Sequence, residues 1–466
     1  MAFTQGVSGL NAAASNLDTI GNNIANSQTV GYKSSRTEFA DIYAGAKAGL
    51  GVQVSGITQG FSTGSLTGTD RNLDVAINGG GFFRVTDGSQ IMYSRNGQFQ
   101  MSSDGYLVNG QGAQLTGYNV QNFNSLTTDP SVPTGGEPTA IQIPTDTLSA
   151  KATSAASGSV SLDAGSEVID ADFNTSDSST YNWSTSSTVY DSLGNAQSMN
   201  LYFTKTAENS WEVNAQMPLG KEANLPTTLP STDFEATGNG EYSFSKDGHD
   251  YIATVAGATS SDDGATWSGG QISYVEKLDP ISLNFSSNGT LVNAVQDSKA
   301  AGVPATSVSW SLNSQNGSAP TDFTFSFDGS SQTAKDFAAN DLQQNGYASG
   351  DLTGIAIQKD GSIRGSYSNG QTVDVARIVL ADFRNEQGLQ SNGDNTWIET
   401  ASSGQPLIGT AGTGQLGELL ANTVEESNVD LSQELVSMIV AQRNYQANAQ
   451  TIKTQDQVLQ TLVTLR

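Results

Sequence analysis

The 466-residue sequence contains no cysteine and a single histidine, His249. Without cysteine the chain cannot form a disulfide framework, a thiolate metal site or a cysteine nucleophile. No run of residues approaches the roughly 20 apolar residues that a membrane-spanning helix needs. The residues after Met1 also lack the basic and apolar regions of a cleavable secretory signal. We therefore expect no membrane insertion and no cleaved signal.

Basic residues are scarce: 20 Lys and Arg stand against 46 Asp and Glu, which gives a net charge of −26. This balance argues against nucleic-acid binding, which needs a basic face. It suits a soluble, secreted or surface-exposed protein. The length suggests about two to four domains. The many Gly, Ser, Thr and Asn residues between short apolar runs predict β-rich domains with many turns.

The C-terminal segment, residues 428–465, contains neither proline nor glycine. Its apolar residues recur at alternating steps of four and three, which predicts one long amphipathic helix with a coiled-coil seam. Two polar residues, Gln442 and Asp456, interrupt the seam. Such a helix needs a partner for its apolar face. The apolar seam positions are Leu431, Leu435, Met438, Tyr445, Ala449, Ile452, Leu459 and Val463.

The first 24 residues follow the same rhythm and predict the partner helix. Ala12 and Ala13 have small side chains beside the seam, so another helix can approach closely. We therefore expect the two chain ends to form a coiled coil. Two unrelated surface helices on a globular core remain an alternative, because many helices share this period. The seam positions are Phe3, Val7, Leu10, Ala14, Leu17, Gly21 and Ile24.

Between the helices the residue composition changes several times along the chain. The expected fold is mainly β with a terminal α-helical coiled coil. We assign residues 1–30 and 425–466 to the terminal helices and residues 31–71 to an extended spacer. Residues 72–150 and 335–424 share alternating strands and hairpin signals, so they form one discontinuous β-rich body domain. Residues 151–334, rich in Ser, Thr, Asp and Gly, form an inserted outer β-domain, which a surface loop of the body tolerates.

Few residues suggest chemistry. Gly79, Gly80 and Gly81 lie between two strands, without the following helix that a phosphate loop requires. His249 lies in a predicted surface turn, Lys246–Tyr251, and no sequence signal marks a nucleophile or orienting carboxylate for it. A glycosidase-like carboxylate pair stays open, because acidic residues are plentiful.

Two short acidic groups could hold calcium weakly. They are Asp262 with Asp263 and Gly264, and Asp247 with Asp250, and both lack EF-hand spacing. We expect no enzyme activity, no cofactor and no specific metal site.

Two short motifs, one near each end, make the chain recognisable. The first comprises Ala25, Asn26, Thr29, Gly31, Tyr32 and Lys33; the second comprises Ser427, Asn428, Val429 and Asp430, followed by residues 438–439 and 441–448. Together they resemble the terminal signatures of the bacterial flagellar rod and hook family of axial proteins. A chance match to one end is plausible, but a match to both ends in order is not. Residues 72–120 resemble the body domain of that family, and residues 189–194 resemble the start of the outer domain of its hook members.

The resemblance implies a structural subunit that polymerises into a curved, flexible, hollow tube joining rod to filament and transmitting torque. The implied partners are other copies of the chain, the flagellar rod, the hook cap, the hook–filament junction proteins and the flagellar type III export apparatus. The implied location is the extracellular hook. A distal-rod protein is the near alternative, although such proteins usually lack a large inserted domain. A secreted glycan-binding or glycan-cleaving β-protein is the alternative from another class.

Overall fold

Two long helices occupy the ends of the chain. The computed structural model describes residues 2–42, 51–88, 90–125, 130–219, 235–238, 241–256, 259–260, 267–268, 271–296 and 305–464. Helix α1 spans Ala2–Ala25 and helix α2 spans Leu431–Thr464. Asp430 caps α2, because its Oδ1 accepts the N–H groups of Ser432 and Gln433 at 2.9 and 3.1 Å. Neither helix combines the length and apolar character that crossing a membrane requires.

A two-stranded hairpin follows α1. Strand β1, Ser35–Asp41, pairs antiparallel with β2, Val52–Gln59. The hydroxyls of Thr37 on β1 and Thr19 on α1 lie 2.8 Å apart, so the hairpin packs against the helix. Both strands contact α1, so the hairpin depends on the helix for its packing.

Eight short strands follow the hairpin. Phe61, in the connection before them, packs edge-on against Phe82 and Trp397 with ring centroids 5.5 Å apart in each pair. This aromatic contact ties the spacer to the β-structure that follows. The strands are β3 Leu66–Gly68, β4 Val75–Asn78, β5 Phe82–Asp87, β6 Gln90–Ser94, β7 Gln100–Met101, β8 Leu107–Val108, β9 Gln114–Asn119 and β10 Thr139–Ala140.

The described residues of the next region contain strands β11 to β26. Its strands are β11 Ala155–Asp163, β12 Trp183–Tyr190, β13 Ala196–Ala207, β14 Ser210–Pro218, β15 Glu235–Gly238, β16 Glu241–Lys246, β17 His249–Ala256, β18 Thr259–Ser260, β19 Trp267–Ser268, β20 Gln271–Lys277, β21 Ile281–Phe285, β22 Leu291–Val295, β23 Ser307–Leu312, β24 Thr321–Ser326, β25 Ser331–Thr333 and β26 Ala338–Gln344. A 3-10 turn, Ser178–Thr180, precedes β12.

Two sheets of this region share one apolar core. The larger runs β12-β13-β14-β20-β17-β16-β15, with β21 paired to β14 and β22 paired to β21. The smaller runs β23-β24-β11-β25, with β26 paired to β11. Trp211 from the first sheet and Phe325 from the second are both buried in that core. β26 lies beyond residue 334, the boundary expected from the sequence, and its pairing to β11 places it with this region.

The chain then returns to the body. Its remaining strands are β27 Leu352–Ile357, β28 Ser362–Tyr367, β29 Thr372–Asp382, β30 Gln390–Gly393, β31 Thr396–Ile398, β32 Leu407–Thr410, β33 Glu418–Ala421 and β34 Thr423–Glu425, with a 3-10 turn at Glu386–Gly388.

Strands from both sides of the insert form one sheet. In the described residues it is 12-stranded and runs β27-β28-β29-β9-β5-β6-β31-β30, with shorter strands alongside. β29 pairs antiparallel with both β9 and β5, so the late segment completes the early one. Val85, Leu115 and Ile378 are fully buried in the shared core. The expected mainly-β class with a terminal helix pair is confirmed.

Candidate self-assembly surface

The two terminal helices pack against each other in antiparallel directions. A side-chain carbon added at Gly6, near the start of α1, would lie 3.0 Å from Ile452 Cγ1 on α2. At the other end of α1, Asn23 Nδ2 donates to Glu434 Oε1 at 3.0 Å. The start of α1 therefore lies beside the later half of α2, and the end of α1 lies beside its beginning.

Small residues make the contact between the helices. At Gly9 an added carbon would lie 2.8 Å from the side-chain oxygen of Asn448. Ala12, Ala13 and Ala441 are buried, at 6%, 9% and 2% exposure. Because the distance between two helix axes depends on the side chains at the contact, glycine and alanine let these helices approach closely.

Most of the large apolar side chains in the described part of α2 face away from α1. A helix pair that stood alone would bury such side chains, whereas here the alanines at the contact are buried and these larger residues are exposed. The exposed residues are Leu431, Leu435, Val436, Ile439, Val440, Val458 and Leu459, with exposures of 44%, 46%, 59%, 51%, 52%, 48% and 53%.

The predicted seam residues lie beside the intrachain contact rather than within most of it. On α1 the contact stripe contains Gly6, Gly9 and Asn23, one residue before the predicted Val7, Leu10 and Ile24. The side chain of Phe3 lies outside the described residues. The half-buried seam residues are Leu10, Leu17, Ile24, Met438 and Ile452, and the exposed ones are Val7, Leu431, Leu435, Tyr445 and Leu459. Their role in self-assembly stays a prediction.

The two sequence motifs meet where the helix pair joins the body. Lys33 Nζ lies 2.6 Å from Glu425 Oε1, and both side chains have 0% exposure. Arg95 Nη1 lies 3.3 Å from the other carboxylate oxygen, and its guanidinium stacks 5.3 Å from the Phe82 ring centroid. The buried carboxylate of Glu425 therefore forms ion pairs with two buried cations, Lys33 and Arg95. Burial lowers the pKa of Lys33 and of Arg95, and the charge of Glu425 opposes that shift.

Backbone contacts complete this joint. Gly31 adopts φ 72°, and its N–H donates to the Glu425 carbonyl at 2.7 Å. A side chain at Gly31 would collide with the backbone of Asn96 at 2.6 Å, so glycine is required there. Asn428 accepts the N–H of Ser34 at 2.8 Å and donates to the Gly60 carbonyl at 2.6 Å.

The remaining motif residues shape the turn after α1 and the approach to α2. Ala25 ends α1, and Thr29 Oγ1 donates to Asn26 Oδ1 at 3.2 Å. Tyr32 donates its hydroxyl to Asn23 Oδ1 at 3.3 Å, and burial raises its pKa. Ser427 Oγ accepts the N–H of Val429 at 3.3 Å.

Sequence reasoning missed Glu425 and Arg95. A signal for the first was present, since Glu425 stands two residues before the second motif and the buried lysine of the first motif needs an acidic partner. No comparable signal marks Arg95, which lies in the body between β6 and β7.

Family comparisons match four segments of the chain. Residues 4–33 match the family described as "Flagella basal body rod protein", and residues 420–465 match "Flagellar basal body rod FlgEFG protein C-terminal". Residues 76–162 match "Flagellar hook protein FlgE/F/G D1 domain", and residues 161–347 match "Flagellar basal body protein FlaE D2 domain".

Similar proteins align with the chain from end to end. The flagellar hook protein FlgE of Escherichia coli is 44% identical over 100% of both chains. The chain belongs to the flagellar hook protein family. The FlgE of Salmonella typhimurium is 43% identical over 100% of both chains, and that of Borreliella burgdorferi is 31% identical over 99% of this chain and 98% of its own. The family resemblance predicted from the two motifs is confirmed. Lys33 and Glu425 lie within the matched terminal segments, and Arg95 lies within the matched D1 segment.

The single histidine of this hook-family chain lies at a surface turn, as expected. Asp247 and Gly248 adopt φ 54° and 81° between β16 and β17. His249 Nδ1 lies 2.8 Å from Glu276 Oε1, and Glu276 is fully buried. Burial raises the pKa of Glu276 to about 7, while the Asn313 N–H that the carboxylate accepts opposes this shift. No sequence signal marks Glu276 as the partner of His249, because Glu276 comes from a strand 27 positions later.

The possible calcium residues gain no support. Asp262, Asp263 and Gly264 lie outside the described residues. Asp250 binds Ser245 Oγ, and Asp247 is exposed in the turn. Within the described part of the chain, no three His, Asp or Glu side chains gather in a group that could hold a metal ion.

Proposed function

We propose that this chain is the structural, non-catalytic subunit of the bacterial flagellar hook. It polymerises into a curved, flexible, hollow tube that links rod to filament and transmits torque. The observation that carries the proposal is the exposed apolar side of α2, where Leu435, Val436 and Ile439 are each about half exposed. Contiguous apolar surface of this kind marks an interaction site.

Assembly through the terminal helices explains why the helix pair is built on glycine and alanine. The small residues hold α1 and α2 together closely, and the large residues remain available for neighbouring subunits. In the tube the helices form the inner layer, in which each subunit covers the exposed leucines and valines of the next. Burying a Leu or Val side chain contributes about 1.5–3 kcal/mol, so several per subunit support a stable wall.

The outer β-region supports bending rather than adhesion. The chain carries a net charge of −26, and the insert presents mostly polar side chains. Polar surfaces with a low apolar content let neighbouring outer domains slide past one another as the tube curves. The contacts between inner helices keep the wall of the tube together, while the contacts between outer domains change as the tube bends.

The family names and the terminal motifs support further partners. We assign the chain contacts with the flagellar rod, the hook cap and the hook–filament junction proteins. Export by the flagellar type III apparatus brings it to the extracellular hook. The distal rod is the near alternative, and the large insert between β10 and β27 favours the hook.

The test is electron microscopy of polymer formed from the purified chain. We expect a hollow, curved tube with α1 and α2 lining its lumen. A straight, rigid tube would favour the distal rod instead. A chain that stays monomeric at high concentration and binds or hydrolyses glycans would support the alternative from another class and contradict the hook proposal.

A further inference from the structure

A groove lies between α1, α2 and the β1–β2 hairpin. It encloses about 510 Å³, and its floor is made of small residues from both helices, namely Gly9, Ala12, Ala13, Ala441 and Ala447. Phe39 of β1 forms one wall and is 45% exposed. An exposed phenylalanine beside a floor of alanines is an apolar site that the single chain leaves open.

The described residues that line the groove carry no charge. Gln and Asn side chains form its rim, and none of these described residues is Asp, Glu, Lys or Arg. Two chains that each carry a net charge of −26 repel each other. A face that meets another copy closely must therefore be free of acidic groups, and the groove meets that condition.

The same chain carries an element of matching shape and chemistry. Leu435, Val436, Ile439 and Val440 form a ridge on α2, and each is between 46% and 59% exposed. Their spacing of one and four residues keeps them on one face of the helix. The ridge is apolar and uncharged, and large side chains project from it where the groove offers a small-residue floor.

We propose that the ridge of one subunit occupies the groove of a neighbouring subunit. The occupant is a second copy of this chain, so the inference rests on the proposed polymerisation and names the surfaces that perform it. The two surfaces differ, so each subunit offers a ridge on one side and a groove on the other. A contact between two different surfaces does not close into a dimer and instead propagates into a helical assembly.

Site-specific disulfides test the contact cleanly, because the chain has no cysteine of its own. The double variant Ile439→Cys with Ala447→Cys places one thiol on the ridge and one in the groove. These positions lie about 12 Å apart along one helix, at about 1.5 Å per residue. A disulfide requires Cα atoms within about 7 Å. Any bond between them therefore joins two subunits.

Hooks isolated from cells carrying the double variant should give, on mild oxidation, a ladder of cross-linked oligomers that reduction returns to single chains. Each single variant should stay a single chain, because ridge meets groove rather than itself. Ile439→Cys with Gln446→Cys is the matched control, since Gln446 adjoins Ala447 on α2 but does not line the groove.

Three outcomes would overturn the proposed contact. The first is that assembled double-variant hooks yield only single chains on oxidation. The others are that the Gln446 control cross-links as much as the Ala447 variant, or that a single-cysteine variant forms dimers. A cross-linked species containing a different flagellar protein would assign the groove to another occupant. Failure of the cysteine-free parent to assemble would count against the proposed function instead.

A charge placed in the groove gives an independent reading if cysteines disturb assembly. Ala447 is exposed in the single chain, so Ala447→Glu should leave the fold intact. It should reduce the number of hooks by about tenfold or more, because a charge would enter a packed apolar contact. Gln446→Glu adds the same charge outside the groove and should leave hook number near normal. Normal hooks from Ala447→Glu would contradict the proposal.

Discussion

Lys33 and Glu425 form a fully buried ion pair at 2.6 Å, although 392 positions separate them in the chain. The pair links the turn after α1 to the strand before α2. Arg95 shares the same carboxylate, so two cations depend on one acid. Removing one partner of a buried pair leaves an uncompensated charge, which costs far more than the pair contributes when intact.

The variant Glu425→Gln should therefore destabilise the protein strongly. Glutamine keeps the shape of the side chain but removes the charge that compensates Lys33 and Arg95. We expect the free energy of unfolding to fall by about 3–5 kcal/mol, measured by urea unfolding of the monomer. The neighbouring Glu426 is exposed, and Glu426→Gln should change stability by less than about 0.5 kcal/mol. Equal urea midpoints for the two variants would show that the joint adds nothing to stability.

Substitutions on α2 should separate assembly from folding. Leu435 is 46% exposed, so Leu435→Asp should leave the monomer as stable as the parent but abolish hooks and motility. Gln450 is also exposed but lies outside the predicted seam, so Gln450→Asp should affect hooks much less. The measurements are circular dichroism of the purified chain and hook counts by electron microscopy. Normal hooks from Leu435→Asp would remove α2 from the assembly interface.

Ile452 should behave differently from Leu435, because it packs against Gly6 of the same chain. Ile452→Asp should weaken the helix pair of the monomer as well as assembly. Hydrogen exchange of the α1 amides should then be faster than in the parent, and Leu435→Asp should leave it unchanged. The same exchange rate in all three proteins would mean that the α1–α2 contact does not form in the free monomer.

The insert should be removable at its stem. Lys151 and Tyr347 exchange two backbone hydrogen bonds of 2.9 Å, so the outgoing and returning chains are already adjacent. Replacing residues 152–346 with Asn-Gly would close this stem as a two-residue hairpin. We expect a cooperatively folded body that assembles into tubes with altered curvature or stiffness. An unfolded product in circular dichroism would mean that the insert forms part of the body core.

Glu276 should make the stability of the insert depend on pH. Burial raises the pKa of its carboxyl to about 7 in the folded protein, above the ordinary value of 4.5. A raised folded-state pKa gives stability that is complete below about pH 4.5 and is lost as the pH rises towards 7. The loss should be on the order of 1–3 kcal/mol.

Urea unfolding at pH 5 and pH 8 measures this loss. Glu276→Gln cannot ionise, so its stability should fall less than that of the parent between the two pH values. Glu208→Gln, at an exposed position, should follow the parent. If Glu276→Gln and the parent lose equal stability over this range, ionisation of Glu276 does not limit the insert.

Short-range sequence patterns were sufficient to predict the two helices, one turn and the family of this protein. The four-three spacing of apolar residues predicted α1 and α2, because a helix places such residues on one face whatever surrounds it. Asp247 and Gly248 predicted their turn, because these residue types tolerate positive φ. The two terminal motifs were sufficient to indicate the family. Each of these signals depends on neighbours within a few positions, so each can be read directly from the chain.

Contacts between residues far apart in the chain depend on how the whole molecule packs. The helical period does not show which stripe of α1 contacts α2. The two backbones approach closely at the glycines of α1, and larger residues beside them lie outside this contact. The partnership of Glu425 with Lys33 and Arg95, and that of Glu276 with His249, required strands distant in sequence to be brought side by side. Burial shifts the pKa values of Lys33, Arg95 and Glu276 and gives these groups their effect on stability, and burial is a property of the packed whole rather than of any segment.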